Sequence, residues 1–207
     1  MAQHQNLKDE IKALLKGLMP TKTHEDSRIV VQGPSLEIQR EVPSRLLEIA
    51  NESTKSRAAV IKALIKVLSK PNAKKQYGIP HKWLTAVDVL GRLRATEAID
   101  ALVKNIDQTD LGLMMVYTYF GPSVVALTRI GEPAVPALIE ALFGKRASVR
   151  RAAAYTLGLI GGADAEKALR KALKKERNKE VLHYVEEGLP KEGPRVLPSF
   201  ALERVKG

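Results

Sequence analysis

The sequence predicts an all-α fold, an array of about four antiparallel helix pairs behind an irregular helical N-terminal segment. One passage recurs three times, and each copy combines the end of a helix, a tight turn and the start of the next helix: VLGRLRATEAIDALVK, ALTRIGEPAVPALIEAL and TLGLIGGADAEKALRKAL. Aligning Leu93, Ile130 and Ile160 gives periods of 37 and 30 residues. Because one helix pair cannot bury its apolar face alone, repeats of this length indicate pairs that stack on their neighbours.

Composition limits the class of protein. A chain of 207 residues with 44% hydrophobic and only 4% aromatic side chains can bury a core, which Leu, Ile, Val and Ala must supply. The absence of cysteine excludes disulfides and thiolate metal sites and is compatible with a reducing cytosol. Charges throughout residues 1–19 argue against a signal peptide, and no apolar run approaches the roughly 18 residues of a membrane-spanning helix. We therefore expect a soluble, cytoplasmic protein with no membrane partner.

Residues 1–54 form the predicted N-terminal segment. Residues 4–19 place leucine and isoleucine at helical spacing, which predicts an amphipathic helix. Residues 21–34 are polar apart from a short apolar tetrad that starts at Ile29, and we interpret them as a connection containing an extended segment. Residues 35–53 are helical in pattern but contain Pro43, so either one helix is kinked there or a new helix begins with Pro43 in its first turn, where proline is tolerated. We favour a new helix over Pro43–Ser53.

Residues 55–188 form the predicted repeat array. The pattern predicts helices over Lys55–Ser69, His81–Arg94, Thr96–Ile106, a segment ending at Ile130, Pro133–Phe143, Ala147–Ile160, Ala163–Arg177 and Lys179–Gly188. Glycines at helix ends favour a left-handed backbone there, and the candidates are Gly131, Gly144, Gly161 and Gly162. The proline-rich residues 189–207 follow, and capping of the last repeat is one interpretation of them.

The second helix pair departs from the repeat. Its period is longer by seven residues, and the surplus falls within residues 111–123, which are rich in aromatic side chains and methionine. Insertions in repeat arrays usually map to a loop at one edge, often the binding edge. The alternative is that these side chains fill the core between neighbouring pairs.

The net charge of +11 is concentrated in one stretch. Residues 51–82 hold eight basic side chains and one acidic side chain, a net charge of +7. The candidate basic patch comprises Lys62, Lys66, Lys70, Lys74, Lys75 and Lys82. One interpretation is the solvated stripe of an amphipathic helix. The other is a surface for phosphates or an acidic protein, where lysine suits diffuse phosphate contact better than base recognition.

No catalytic constellation is present in the sequence. The four histidines are spread along the chain without metal-ligand spacing, and no Gly-x-Ser-x-Gly elbow or Gly-rich phosphate loop occurs. We expect no catalytic residues, no cofactor and no metal.

The passage AVPALIEALFGKRASVRRAAAYTLGLIGG, residues 134–162, resembles a HEAT repeat, in particular the short bacterial and archaeal variety called phycobilisome-lyase-like. The resemblance implies a right-handed superhelix, an α-solenoid of HEAT-like pairs whose first helices line the convex side and whose second helices line the concave side. It also implies a core of Val149, Ala153, Ala154, Leu157 and Ile160. By the same resemblance, Arg150 braces a neighbouring repeat.

The resemblance further implies which side chains line the concave face. Mapped onto this sequence, the candidate partner-binding residues are Asp88, Ser148, Arg151, Tyr155, His183 and Tyr184. Leu84, Thr85 and Ala152 fall at neighbouring outward positions of the same pattern.

The predicted function is a non-enzymatic scaffold or adaptor that binds a protein partner through this concave face. The first alternative is a nucleic-acid-binding module that uses residues 55–82. Two enzyme alternatives carry less weight: a bilin-lyase-like activity, and a DNA-glycosylase-like activity for which Asp88 with Trp83 is the only candidate pair. A further alternative is self-association through an exposed terminal repeat, so the sequence leaves the oligomeric state open.

Overall fold

The structure is a computed structural model that describes residues 2–19, 21–25, 28–69, 81–108 and 121–190. The described residues form ten α-helices and one two-stranded antiparallel hairpin, and they group into two compact units, within residues 1–93 and 94–207. The predicted all-α helical repeat fold is confirmed, with the hairpin as an addition.

The first unit contains four helices and the hairpin. Its elements are α1 (Ala2–Gly17), β1 (Thr21–Glu25), β2 (Arg28–Gln32), α2 (Leu36–Glu52), α3 (Thr54–Leu68) and α4 (His81–Arg92). The core lies where α2 packs against α3 and α4, and α1 covers α2 and α3. Leu46, Ile49, Val60, Leu64 and Leu90 are completely buried there. The extended segment expected near Ile29 is present as β2, which pairs with β1.

Helix α2 corrects one prediction. The helix does not begin at Pro43 but runs continuously from Leu36, with Pro43 inside it. An interior proline costs about 3 kcal/mol, because it removes a backbone hydrogen bond and crowds the preceding turn. Two features favour the longer helix: the Ser35 hydroxyl caps its first turn by accepting from the Ile38 amide, and Val42 and Leu46 are buried on one stripe.

The second unit is a two-layered array of three helix pairs. Its helices are α5 (Ile99–Lys104), α6 (Pro122–Ile130), α7 (Val135–Leu142), α8 (Ala147–Ile160), α9 (Ala163–Lys175) and α10 (Lys179–Gly188). Single 3-10 turns, Thr96–Ala98 and Glu132–Ala134, precede α5 and α7. The first helices of the pairs, α5, α7 and α9, pack side by side in one layer, and the second helices, α6, α8 and α10, form the other. Of the predicted α8 core, four residues are buried and Val149 is half-buried.

The turns between pairs require a backbone conformation that glycine adopts easily. Gly131 and Gly161 follow α6 and α8 with φ angles of +82° and +71°. The equivalent position after α4 is Arg94, which adopts a φ of +48°. L-residues with side chains rarely adopt positive φ, so this turn carries strain that its glycine counterparts avoid. The expectation for Gly144 is wrong, because no positive φ occurs there.

Helices α8 and α10 pack backbone against backbone. A Cβ atom added to Gly158 would lie 2.5 Å from the Cα atom of Gly188, and one added to Gly188 would lie 3.2 Å from the carbonyl oxygen of Ala154. Real Cβ atoms essentially never approach within 3.0 Å of another heavy atom, so Gly158 has no space for a side chain, and a Cβ atom at Gly188 would be tighter than most real contacts. The absence of side chains at these two positions therefore sets the distance between α8 and α10.

Some predictions concern residues outside the described ranges. These are the basic-patch residues Lys70, Lys74 and Lys75, most of the insertion at 111–123 and most of the tail.

Replacing Gly158 with alanine should destabilise the protein strongly. Overpacking of a well-packed contact typically costs about 1–3 kcal/mol, and this contact is between two backbones that cannot move independently. We expect Gly158→Ala to lower the free energy of unfolding by roughly 3 kcal/mol in urea titrations.

The matched control is Gly17→Ala. Gly17 also lies in a helix, but the atom nearest to the position that its added methyl group would take, Ile38 Cγ2, is 3.9 Å away. That variant should be neutral or slightly stabilising, because alanine is the better helix former by about 0.5–1 kcal/mol. Equal stability of the two variants would contradict the assignment of a tight contact at Gly158.

Candidate functional site

Four of the predicted partner-binding residues lie together on α8 and α10. Arg151 and Tyr155 are one turn apart on α8, and His183 and Tyr184 are adjacent on α10. The first turn of α10 is fixed by Asn178, whose side-chain oxygen accepts from the amides of Glu180 and Val181 at 3.0 and 3.2 Å. The close packing of the two helices then places their outward side chains within contact distance.

The ring of Tyr184 contacts the rings of both Tyr155 and His183, and we call these three residues the aromatic cluster. The centroids of the two tyrosine rings are 5.9 Å apart with the ring planes at 78°, and those of His183 and Tyr184 are 5.0 Å apart at 66°. Both are edge-to-face arrangements, which aromatic pairs favour. Both tyrosines are half-buried and His183 is exposed, so the cluster presents ring surface to solvent.

An ion pair borders the aromatic cluster. Arg151 donates from Nη1 to Glu180 Oε2 at 3.1 Å, which links α8 to the first turn of α10. The Arg151 side chain is 34% exposed and that of Glu180 is 76% exposed, so solvent screens the pair and it adds little to stability. Both charged groups therefore lie at the protein surface, next to the rings. The sequence pattern did not indicate Glu180 as part of this surface.

Ser148 makes a different contact from the one expected. Its hydroxyl donates to Asp107 Oδ2 at 2.7 Å, and Arg146 donates to the same oxygen from Nη1 at 3.0 Å. Asp107 follows α5, so the structure ties the start of α8 to the preceding pair through this carboxylate. The structure places the Ser148 hydroxyl on Asp107 rather than in the aromatic cluster.

The remaining outward positions are less accessible than the pattern implied. Asp88 lies in the first unit, where its carboxylate is 3.7 Å from Arg92 Nη1 and its side chain is 43% exposed. Thr85 and Ala152 are buried, so the prediction that they face outward is wrong, and Leu84 is half-buried. Thr85 and Ala152 are small, and neighbouring helices pack closely against them.

Arg150 braces the next repeat, as the resemblance to HEAT repeats implied. Its guanidinium donates from Nε to Glu176 Oε2 at 2.7 Å and from Nη2 to Oε1 at 3.2 Å, while Nη1 donates to the carbonyls of Gly144 and Lys145. Glu176 also accepts from the amides of Arg177 and Asn178. One arginine thus holds both the α7–α8 turn and the α9–α10 turn.

These contacts change the acidity of Glu176. Hydrogen bonds from Arg150 lower the pKa of the Glu176 carboxyl to about 2, and the two backbone amides act in the same direction against the opposing effect of burial. A carboxylate that accepts several hydrogen bonds is stabilised in its charged form. Glu176 and Asp107 were both missed by sequence reasoning, since each lies after the first helix of a pair, in a loop whose geometry the repeat pattern does not specify.

The described part of the basic patch lies on α3 and at the start of α4. Lys55, Lys62 and Lys66 are exposed on α3, the last two four residues apart, and Lys82 is half-buried. Arg57, also on α3, is engaged with its own unit, where Nη2 donates to the Leu93 carbonyl. Helix α3 contains no acidic residue, and in the described ranges no ion pair involves Lys55, Lys62 or Lys66.

The described residues lack two features, a metal-binding cluster and a membrane-spanning helix. No group of three or more His, Asp or Glu side chains is arranged there to hold a metal ion. No described helix is both long enough and apolar enough to cross a membrane.

The second unit is an α-helical repeat array. Hydrogen bonds to Asp107 and Glu176 connect each of its helix pairs to the next. Residues 123–189 match the family model described as HEAT repeats, and residues 84–108 match the one described as PBS lyase HEAT-like repeat. These two segments are therefore HEAT-like repeats. None of the curated proteins matches it significantly.

The ion pair between Arg150 and Glu176 predicts that the protein loses stability in acid. Because the folded pKa of about 2 lies below the ordinary value of 4.5, the ionised carboxylate stabilises the fold fully above pH 4.5. That contribution falls as the pH drops from 4.5 towards 2, and by pH 3 we expect about 2 kcal/mol to be lost. Glu176→Gln should lack this part of the pH dependence when unfolding free energies are compared at pH 6 and pH 3.

Glu166→Gln is the matched control, because Glu166 pairs with Arg170 within one exposed helix face. It should retain the wild-type pH profile. If Glu176→Gln and the wild-type protein lose the same stability between pH 6 and pH 3, the brace does not contribute as described.

Proposed function

We propose that the protein is a non-enzymatic scaffold that binds a protein partner through the outer surface of α8 and α10. The observation that supports this most directly is the aromatic cluster with Arg151 beside it, four predicted residues that lie on one surface. HEAT repeats are typical of scaffolds that mediate protein interactions, and two segments of this chain match HEAT models.

The chemistry of the surface fits a protein partner. Tyrosine and arginine are over-represented among the residues that dominate binding energy at protein interfaces. Each tyrosine offers a large apolar ring that loses little conformational freedom on binding, together with a hydroxyl for a hydrogen bond. Arg151 and Glu180 place one charge of each sign beside the rings, so the surface suits an apolar side chain flanked by polar groups.

The enzyme alternatives gain no support from the candidate residues. The Trp83 side chain is 2% exposed, so its ring is inside the first unit and is not available to stack on a nucleotide base. Asp88 is already 3.7 Å from Arg92, on an ordinary helix surface. The name of the PBS lyase HEAT-like model refers to a repeat, and the matched residues 84–108 are helix and turn residues of this scaffold.

Replacing Arg151 and Tyr155 together with alanine should weaken partner capture without unfolding the protein. Truncation of central interface residues typically costs about 2 kcal/mol or more, which corresponds to a loss of affinity of about 30-fold. The measurement is quantitative affinity capture from cells of the source organism, followed by titration of each captured protein against the purified variants. Thermal unfolding should change little, because neither side chain is fully buried.

The matched control replaces Arg170 and Lys174, two exposed residues in the other layer, with alanine. A partner that binds the proposed surface should bind this control as it binds the wild-type protein. Unchanged affinity of every captured partner for Arg151→Ala/Tyr155→Ala would refute the assignment of the surface.

A second candidate function, nucleic-acid binding through the basic patch, is favoured by one observation. Lys55, Lys62 and Lys66 lie on α3 without an acidic residue on that helix. Such a stripe concentrates positive potential, and its contact with phosphates would release the cations condensed on the nucleic acid.

The salt dependence of binding tests this second candidate. For duplex DNA, each phosphate contact contributes about −0.9 to the slope of log affinity against log salt concentration. If the stripe contacts phosphates, Lys62→Glu/Lys66→Glu should weaken binding to a random duplex and reduce this slope by about 2 in fluorescence-anisotropy titrations. Lys12→Glu/Lys16→Glu, the same charge change at the same spacing on α1, should have a smaller effect. Equal effects of the two variants would assign any binding to net charge alone.

A further inference from the structure

A groove runs between α7 and α9, on the layer of the second unit that does not carry the aromatic cluster. Its volume is about 620 Å³, within the range of protein binding sites. Apolar residues from α7 and from the end of α8 line it, among them Val135, Ile139, Phe143 and Ile160. Phe143 is 42% exposed, so the described residues leave much of a large ring uncovered at one end of the groove. The groove has the form of a docking surface for an apolar segment.

The charges around this groove are separated along its length. Glu132 and Asp164 lie at the end formed by the starts of α7 and α9. Lys167 and Lys171 follow along α9 towards Phe143, and Lys171 Nζ lies 5.3 Å from the centroid of the Phe143 ring. A complementary occupant therefore carries a basic residue at the first end, apolar residues in the middle and an acidic residue near the lysines.

The chain leaves α10 beside the acidic end of the groove. The last residue of α10, Gly188, is packed against Gly158 near the end of α8. Gly161 and Gly162 follow α8, three and four residues after Gly158, and line the groove itself. Helix α10 therefore ends at the same end of the second unit as Glu132 and Asp164.

The sequence after Pro190 has the order of residues that the groove requires. Residues 191–207, which lie outside the described ranges, are KEGPRVLPSFALERVKG. Arg195 comes first, the apolar residues Val196, Leu197, Phe200 and Leu202 follow, and Glu203 comes next. The four residues 191–194 can span up to about 13 Å, enough to cross one helix of about 10 Å diameter before Arg195.

We propose that the groove between α7 and α9 is the docking site for residues 195–203 of this same chain. Arg195 meets the carboxylates of Glu132 and Asp164, Phe200 packs against the exposed ring of Phe143, and Glu203 lies near Lys167 and Lys171. The tail then covers the side of the last two repeats rather than the outer end of the array. This proposal concerns the layer opposite to the aromatic cluster and stands independently of the proposed function.

Disulfide trapping in the full chain tests the proposal, because the native sequence contains no cysteine. The test pair is Lys167→Cys with Ala201→Cys, next to Phe200. The comparison pair is Leu173→Cys with Ala201→Cys; Leu173 is 38% exposed and lies about 120° around α9 from Lys167, on the side that an end cap would cover. Both pairs are oxidised under the same conditions at low protein concentration, and folding is checked by circular dichroism.

Docking should make the intramolecular disulfide of the test pair form at least about tenfold faster than that of the comparison pair, since a merely tethered tail has a similar effective concentration at both sites. Adding Phe200→Asp to the test pair should bring its rate down to that of the comparison pair, whereas Phe200→Leu should retain most of the difference. Equal rates for the two pairs, a faster rate at Leu173, or disulfides formed only between molecules would each overturn the proposal.

Discussion

The contact between Gly158 and Gly188 is the constraint on which the rest of the second unit depends. With no side chain at either position, α8 and α10 approach until their backbones touch. At that distance the rings of Tyr155 and Tyr184 meet edge to face, and Arg151 reaches Glu180. Any side chain at Gly158 would push the helices apart and separate these groups. The outward surface and the inner packing therefore have the same cause.

Apolar burial and charged hydrogen bonds have separate roles in this array. The layers are held by small and aliphatic side chains, such as Ala153, Ala154 and Leu157, which are completely buried. The loops between helices are held by carboxylates. Asp107 joins the α5–α6 pair to the α7–α8 pair, and Glu176 joins the α7–α8 pair to the α9–α10 pair. Apolar burial is non-directional, so the close fit of the buried side chains aligns neighbouring helices. The charge-assisted hydrogen bonds are directional, so they fix the register of each pair against the next.

The sequence was most informative where the local pattern and the tertiary packing agree. The bounds of α8 and α10 match their predictions at both ends, because a glycine or a loop follows each apolar stripe. The resemblance to HEAT repeats assigned Arg151, Tyr155, His183 and Tyr184 to outward positions of α8 and α10, two helices that pack together in the structure. A repeat specifies which positions of a helix face its neighbours.

The errors occur where local rules and packing disagree. Pro43 predicts a helix start by its chemistry, yet the buried stripe through Val42 and Leu46 and the cap at Ser35 extend the helix across it. Thr85 and Ala152 occupy outward positions in the family pattern, yet both are buried. Arg94 is the reverse case, in which a turn adopts a glycine conformation without a glycine.

The aromatic cluster is divided between two repeats. Tyr155 belongs to the α7–α8 pair, and both His183 and Tyr184 belong to the α9–α10 pair. In repeat arrays, terminal units have one neighbour only and open most readily. A ligand that contacts both helices binds only molecules in which the last pair is folded onto the one before it, so its binding free energy adds to the stability of that pair. Binding of such a ligand and folding of the α9–α10 pair are then thermodynamically linked.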